Sequence, residues 1–273
     1  MKLIDSNIQH DSELLVTFTG GLGAQIFSAA IYYDLKGKGY NVYADLDYFK
    51  KPKKTATVGN KGEVSHWNYE LGEYGLSLAG FSTKYFGRSF FKRHKPQIIS
   101  DGGLKIELAI EAIRQQEVKN IFKIRYSFIE ECKKNSGGND YLCIHIRRGD
   151  YVNVASYLID DLDYANLAKS ISNFVDTVIV ISDSEVPSKV RGALFELFKN
   201  CTYIIGGNPH IAHTLMRQAK YLVCSNSQFS LSAALLNHVA HQVFLPTKWF
   251  GDIDSGIQVP INALCRFQLL NID

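Results

Sequence analysis

The chain places its most reactive residue types where an apolar run ends. Tyr141-Leu142-Cys143-Ile144 leads into His145-Ile146-Arg147-Arg148-Gly149-Asp150-Tyr151. A planar guanidinium grips two phosphate oxygens at once, and a nearby carboxylate such as Asp150 can hold an arginine in place. The same residues also fit a surface ion pair that caps a strand. A second constellation is Cys224-Ser225-Asn226-Ser227-Gln228-Phe229-Ser230. Its serines and asparagine suit a helix N-cap, where unpaired N–H groups and the helix dipole favour a phosphate, although an isolated motif of this kind is often only a cap. A third is Val178-Ile179-Val180-Ile181-Ser182-Asp183-Ser184, an apolar run ending on a carboxylate that suits a ribose hydroxyl, a base N–H or a helix cap. A fourth, Gly20-Gly21-Leu22-Gly23-Ala24-Gln25, permits a tight turn and close backbone approach. Asp45 follows at about the spacing of the ribose-binding acid of dinucleotide sites, but Ile26 occupies the place of that fingerprint's third glycine. The pairs Asp45/Asp47, Asp161/Asp163 and Asp252/Asp254 have a spacing common by chance, and no His/Cys cluster points to zinc. A Gly-x-Ser-x-Gly elbow and a P-loop lysine are both missing.

These residues need elements to carry them. In the first half, Leu14 to Thr19 reads as a strand, Ala24 to Leu35 as a helix and Tyr40 to Ala44 as a second strand. Lys50 to Lys95 has no clean period and predicts loops and short helices. Glu107 to Glu117 predicts a helix with Ile106, Ile110 and Ile113 on one face. Asn135-Ser136-Gly137-Gly138-Asn139 is the best linker, so two domains are expected, 1–138 and 139–273. In the second half, strands at 141–146, 177–182, 201–205, 221–224 and 242–245 alternate with helices at 162–174, 186–199, 210–219 and 228–239. Pro187 is suited to the first turn of the second helix. Such alternation means a parallel, doubly wound sheet, whose ligands bind beyond the carboxyl ends of strands. The arginine motif, Asp183 and the Ser227 turn all follow predicted strands.

Composition narrows the class. The 273 residues are 46% hydrophobic, 21% charged and 12% aromatic, which excludes disordered and low-complexity chains. No apolar run is long enough for a membrane-spanning helix, and Met1 to Asp5 lacks the apolar segment of a secretory signal. The five cysteines are scattered and form no Cys-x-x-Cys, which favours a reducing cytoplasm. A net charge of +3 gives no case for nucleic acid. Residues 1–139 carry 20 Lys and Arg against 15 Asp and Glu, whereas the remainder carry 10 against 12, so the halves present different surfaces. Residues 49–54 and 88–95 interleave aromatic and basic side chains, which suits either solvated loops or peripheral contact with an anionic inner membrane face.

Taken in order, Gly-Gly-Leu-Gly, His-Ile-Arg-Arg-Gly-Asp-Tyr and Ser-Asn-Ser-Gln-Phe-Ser resemble glycosyltransferase family 11, the α-1,2-fucosyltransferases. Leu162-Asp163-Tyr164, Ile181 to Ser184, Leu215-Met216 and Pro246 to Phe250 add to a likeness that spans roughly residues 14–250. The resemblance implies an α/β, GT-B-like architecture of two Rossmann-like domains facing a cleft. The N-terminal one would lie on the acceptor side, and the C-terminal one would bind the nucleotide sugar. It implies an inverting transfer of L-fucose from GDP-L-fucose to the 2-hydroxyl of a galactoside, as in O-antigen-type assembly on a lipid-linked oligosaccharide. No metal or other cofactor is expected, because basic side chains and a helix N-terminus would neutralise the leaving diphosphate. Carried over by position, Arg147, His145 and Asp150 become the catalytic candidates. Arg147, Arg148, Asp183, Ser227, Gln228, Phe229 and Ser230 become donor contacts, with Asp183 at the nucleoside. Gly20, Gly21, Gly23 and Gln25 would border the sugar and acceptor. The chain departs from the family pattern at Ala24, usually asparagine, at Leu231-Ser232, usually bulky, and at Ala212-His213-Thr214, usually acidic. Three alternatives stay open: the same fold using another GDP-6-deoxy sugar such as GDP-colitose, a Rossmann dinucleotide-dependent oxidoreductase built on Gly20 to Gly23 and Asp45, and a non-catalytic lectin-like or nucleotide-sensing protein that binds GDP without turnover.

Overall fold

The computed structural model describes residues 13–50, 56–57, 63–64, 68–77, 81, 97–99, 106–138, 140–153 and 158–246. It divides into two compact units, one of residues 1–54 and 66–123, the other of residues 55–65 and 124–273. The division therefore falls at Lys123/Ile124, ahead of the expected boundary at Gly138. The helix Tyr126–Ser136 explains the difference, because its Cys132 reaches the carbonyl of Ile211 in the second unit, with Sγ 3.7 Å from the oxygen. Gly137 and Gly138 have positive φ and end that helix instead of linking domains.

The first unit holds a parallel sheet of β1 (Glu13–Thr17), β2 (Asn41–Asp45) and β3 (Gln97–Ile99), ordered β2-β1-β3. Central β1 is apolar without alternation, as a strand covered on both faces must be, and Leu14, Leu15 and Val16 are at most 1% exposed. Helix α1 (Leu22–Gly37) buries every residue but Tyr33, Lys36 and Gly37, so it is an interior helix and not a surface one. It packs on α2 (Ile106–Arg114), whose Ile106, Ile110 and Ile113 form the predicted apolar face, and α3 (Gln116–Ile121) follows. Strand β3 and helix α3 carry little pattern of their own and were not legible in the sequence.

The second unit follows the predicted alternation closely. After α4 (Tyr126–Ser136) come β4 (Leu142–Ile146), α5 (Asp161–Ile171), β5 (Thr177–Ser182), α6 (Ser188–Leu197), β6 (Asn200–Ile205), α7 (Pro209–Gln218), β7 (Tyr221–Val223), α8 (Gln228–Leu235) and β8 (Gln242–Phe244). Pro187 sits one step before its expected place, as the N-cap of α6. Helix α8 stops short of Val239 because the buried Asn237 amide takes over the chain. Its Nδ2 donates to the carbonyls of Met216 and Ala219, and its Oδ1 accepts from the N–H groups of Val239 and Ala240. All strand pairs in this sheet are parallel, in the order β8-β7-β4-β5-β6. The chain thus winds outward from β4 through β5 to β6, then returns to the other side of β4 with β7 and β8. The winding reverses between β4 and β7, and a ligand crevice lies outside the carboxyl ends of two such strands. Leu142, Ile144, Val178, Val180, Val190 and Leu194, each fully buried, belong to the core beneath.

Candidate active site

Three of the segments singled out by their chemistry leave the sheet side by side. The arginine motif follows β4, Asp183 follows β5 and the Ser225–Ser230 turn follows β7, with β4 paired to both neighbours. Arg147 extends an Nη1 to Asp183 Oδ2 at 2.8 Å, and its guanidinium lies 5.3 Å from the centre of the Tyr151 ring. Tyr151 Oη donates to the carbonyl of Asn226 at 3.2 Å, tying this loop to the turn ahead of α8. Arg148 turns away from Arg147 and pairs with Asp161 at the start of α5. Asp183 and Asp161 thus each hold one of the two arginines. Asp150 lies in the 3-10 turn Gly149–Asn153, and its side chain is outside the described residues.

Asp183 is committed to its own chain. Its Oδ1 accepts from the N–H of Arg148 at 2.8 Å and of Gly149 at 2.9 Å, while Oδ2 faces Arg147. His145, a catalytic candidate from its motif, is only 3% exposed. Its Nδ1 shares a 2.7 Å hydrogen bond with Ser225 Oγ, which joins β4 to the turn after β7. Burial, aided by the positive charge of Arg147, pushes its pKa down to about 3, so the ring is neutral. His213 on α7 is similar: Nε2 shares a 3.1 Å hydrogen bond with Ser232 Oγ, and burial, then Arg217, His210 and His145, hold it well below the ordinary histidine range. Phe229 lies between the two imidazoles, 5.5 Å from each ring centre. This histidine–serine–phenylalanine layer under the arginine loop was not legible in the sequence, because His213 and Ser232 lie on different helices.

At the start of α8, Ser227 is the N-cap and its Oγ accepts from the N–H of Phe229 at 3.3 Å. Gln228 and Phe229 are partly exposed there. Ser230 is fully buried and shares its one hydroxyl proton between the carbonyls of Ser225 and Ser227, at 3.1 and 3.3 Å, which braces the turn. Among the described residues no three His, Cys, Asp or Glu side chains cluster as a metal-ligand set. An open polar hollow lined by Ser136, Gly138, Asp140, Thr177 and Asn200 lies at the amino ends of the strands, the opposite edge from the arginines.

In the first unit, Gly20 takes φ +71°, and a side chain there would also crowd Ala24 Cβ at 3.1 Å. Gly21 is the N-cap of α1, with no side-chain cap, and Gly23 is buried in its first turn. Gln25 is fully buried. Its Nε2 donates to the carbonyls of Gly20 and Asn68, at 2.9 and 2.8 Å, and its Oε1 accepts from the N–H of Glu70 at 2.8 Å. Its amide thus staples the glycine turn to the 68–70 segment. Asp45 Oδ1 accepts from the N–H of Asp47 at 3.0 Å, a local cap at the end of β2. Of the two basic–aromatic clusters, only Phe49 and Lys50 are described: Phe49 packs on Tyr48 and Tyr69, and Lys50 pairs with Asp47. The others, 51–54 and 88–95, lie outside the described residues, as does the 247–250 segment. No described helix is long and apolar enough to cross a membrane.

Comparison with known proteins gives three results. The family model described as glycosyl transferase family 11 matches residues 106–250. A curated relative, an alpha-1,2-colitosyltransferase of Escherichia coli, is 34% identical over 119 residues, 39% of this chain and 40% of that protein. The match thus spans two-fifths of that relative's length. Among solved structures, POFUT1 in complex with GDP is 11% identical with a TM-score of 0.47, over 85% of this chain and 96% of its own. NodZ alpha-1,6-fucosyltransferase soaked with GDP-fucose is 14% identical with a TM-score of 0.47, over 91% and 97%.

Proposed function

Since the chain belongs to glycosyl transferase family 11, we propose that it moves L-fucose from GDP-L-fucose to the 2-hydroxyl of a galactoside. The observation that carries this reading is that the loop bearing Arg147 is tied to the turn that caps α8, by Tyr151 to the Asn226 carbonyl and by His145 to Ser225, at the reversal of strand order between β4 and β7. A leaving nucleoside diphosphate gains negative charge as the bond between the sugar carbon and the β-phosphate oxygen breaks. A guanidinium and a helix N-terminus fixed beforehand stabilise that charge without reorganising. Attack by the acceptor oxygen on the opposite face of the sugar carbon inverts it, and the hydroxyl proton is lost as the new bond forms. In this account Arg147, Ser227, Gln228 and Phe229 serve the diphosphate. His145, Ser225 and Ser230 hold the two loops at the right height.

A second donor, GDP-colitose, is favoured by the activity named for the Escherichia coli relative and by Ala24 in place of the family's asparagine. The deciding experiment offers GDP-fucose and GDP-colitose separately to β-galactoside acceptors and follows product mass. Transfer from GDP-fucose with a linkage to the galactose 2-oxygen supports the first reading, and transfer from GDP-colitose alone replaces it with the second. Absence of transfer from both, together with binding of NAD(H) but not GDP, would overturn the glycosyl-transfer reading in favour of a dinucleotide enzyme.

A further inference from the structure

We propose that Asp183 is a positioning residue that sets the orientation of Arg147, and that position 149 is glycine so that this carboxylate can approach. Three hydrogen-bond donors converge on it. The N–H groups of Arg148 and Gly149 fix Oδ1 at 2.8 and 2.9 Å, and Arg147 Nη1 meets Oδ2 at 2.8 Å. With Oδ1 pinned by two backbone groups, Oδ2 has little freedom. It becomes a fixed point against which the guanidinium is held. The Tyr151 ring bears on the guanidinium from another direction, and Tyr151 is itself anchored to Asn226. A guanidinium is a rigid plane with five N–H donors, so a fixed edge and a ring contact set the direction of the remaining donors.

Gly149 makes the arrangement specific. Its φ lies outside the left-handed region, so backbone conformation does not call for glycine. Space does. A Cβ at 149 would lie 2.6 Å from Asp183 Oδ2 and 3.1 Å from its Cγ, and the three heavy atoms nearest to it all belong to Asp183. An added methyl therefore bears on the very oxygen that faces Arg147. The expectation that Asp183 contacts the nucleoside gives this glycine no such purpose.

The test uses Asp183→Asn and Gly149→Ala in the full chain, with circular dichroism to confirm folding. Asparagine keeps an oxygen for the two N–H groups and turns an NH2 toward Arg147. Alanine keeps the carboxylate and displaces it. The first measurement needs no ligand: nitrogen–proton spectra of the arginine side chains, with Arg147 assigned through Arg147→Lys. Restricted Arg147 signals in the parent, lost in both variants, are expected; signals unchanged in both would overturn the proposal. The second compares binding of GDP and guanosine by calorimetry. GDP affinity should fall about tenfold or more in each variant, the scale of one charge-assisted hydrogen bond, and guanosine affinity should hold. Asp183→Asn should add nothing in an Arg147→Ala background. Equal loss for guanosine and GDP would place Asp183 on the nucleoside and overturn the proposal. This second arm rests on the donor reading above. A parent protein that bound no GDP would overturn that reading, while the ligand-free spectra would still decide the role of Asp183.

Discussion

Acid should loosen the second unit through its buried histidines before the carboxylates begin to titrate. His145 has a folded pKa of about 3, against about 6.5 in an unfolded chain. The unfolded state therefore binds the proton that the folded state refuses. The stability tied to a neutral His145 is fully present above pH 6.5 and is lost as pH falls from there toward 3. Between pH 7 and pH 5 linkage makes that loss about 2 kcal/mol for this one residue. His213 is shifted in the same direction and adds to it. Urea unfolding followed by circular dichroism at pH 7, 6 and 5 gives the slope. In His145→Asn, a side-chain amide can keep a hydrogen bond to Ser225 Oγ, and the titrating ring is gone. Its stability should then fall by about 2 kcal/mol less than the parent's over the same interval. Identical slopes in parent and variant would refute the argument, since His145 would then be protonated as readily in the fold as out of it.

Arg147→Ala should lower kcat/KM for sugar transfer by about a hundredfold or more, and Arg147→Lys should recover little of it, because an ammonium lacks the two-pronged geometry. Near-normal turnover in a folded Arg147→Ala protein would remove Arg147 from the diphosphate. Gln25→Ala strands the carbonyls of Gly20 and Asn68 and the N–H of Glu70 and should cost about 3 kcal/mol, read by urea unfolding. Gln25→Glu should fare no better, because an ionised carboxylate cannot donate to the two carbonyls. Activity should survive exhaustive EDTA treatment, measured by the same transfer assay; a large loss restored by Mn²⁺ or Mg²⁺ would speak for a metal-assisted departure of GDP. Replacing Lys50, Lys51, Lys53 and Lys54 with Gln should weaken co-sedimentation with anionic vesicles at low salt, and equal recovery with neutral vesicles would make these lysines ordinary solvated side chains.

Much of the second unit was legible because local pattern and tertiary environment agree there. A strand covered on both faces must be apolar throughout, so Thr177 to Ser182 declared itself, and the polar residue ending each run marked a carboxyl edge. The glycine turn before α1 and the cap at Ser227 were equally plain, since each depends on the chemistry of only a few consecutive residues. Strand order is different in kind. Nothing local to Tyr221–Val223 states that it pairs with β4 and not with β6, although that choice creates the reversal at which the two motifs meet. The partners of the polar groups are also tertiary. Asp183 serves a loop 34 residues before it, Gln25 staples a segment 43 residues after it, and His145 bonds to a serine 80 residues away. A sequence specifies that such groups will be buried or placed at a strand end. Which donor meets which acceptor follows only when the sheet brings distant ends within hydrogen-bond range. That is why the sequence by itself yielded the elements and the chemistry-bearing residues, while the tertiary structure alone decided which of them meet and which hold the others in place.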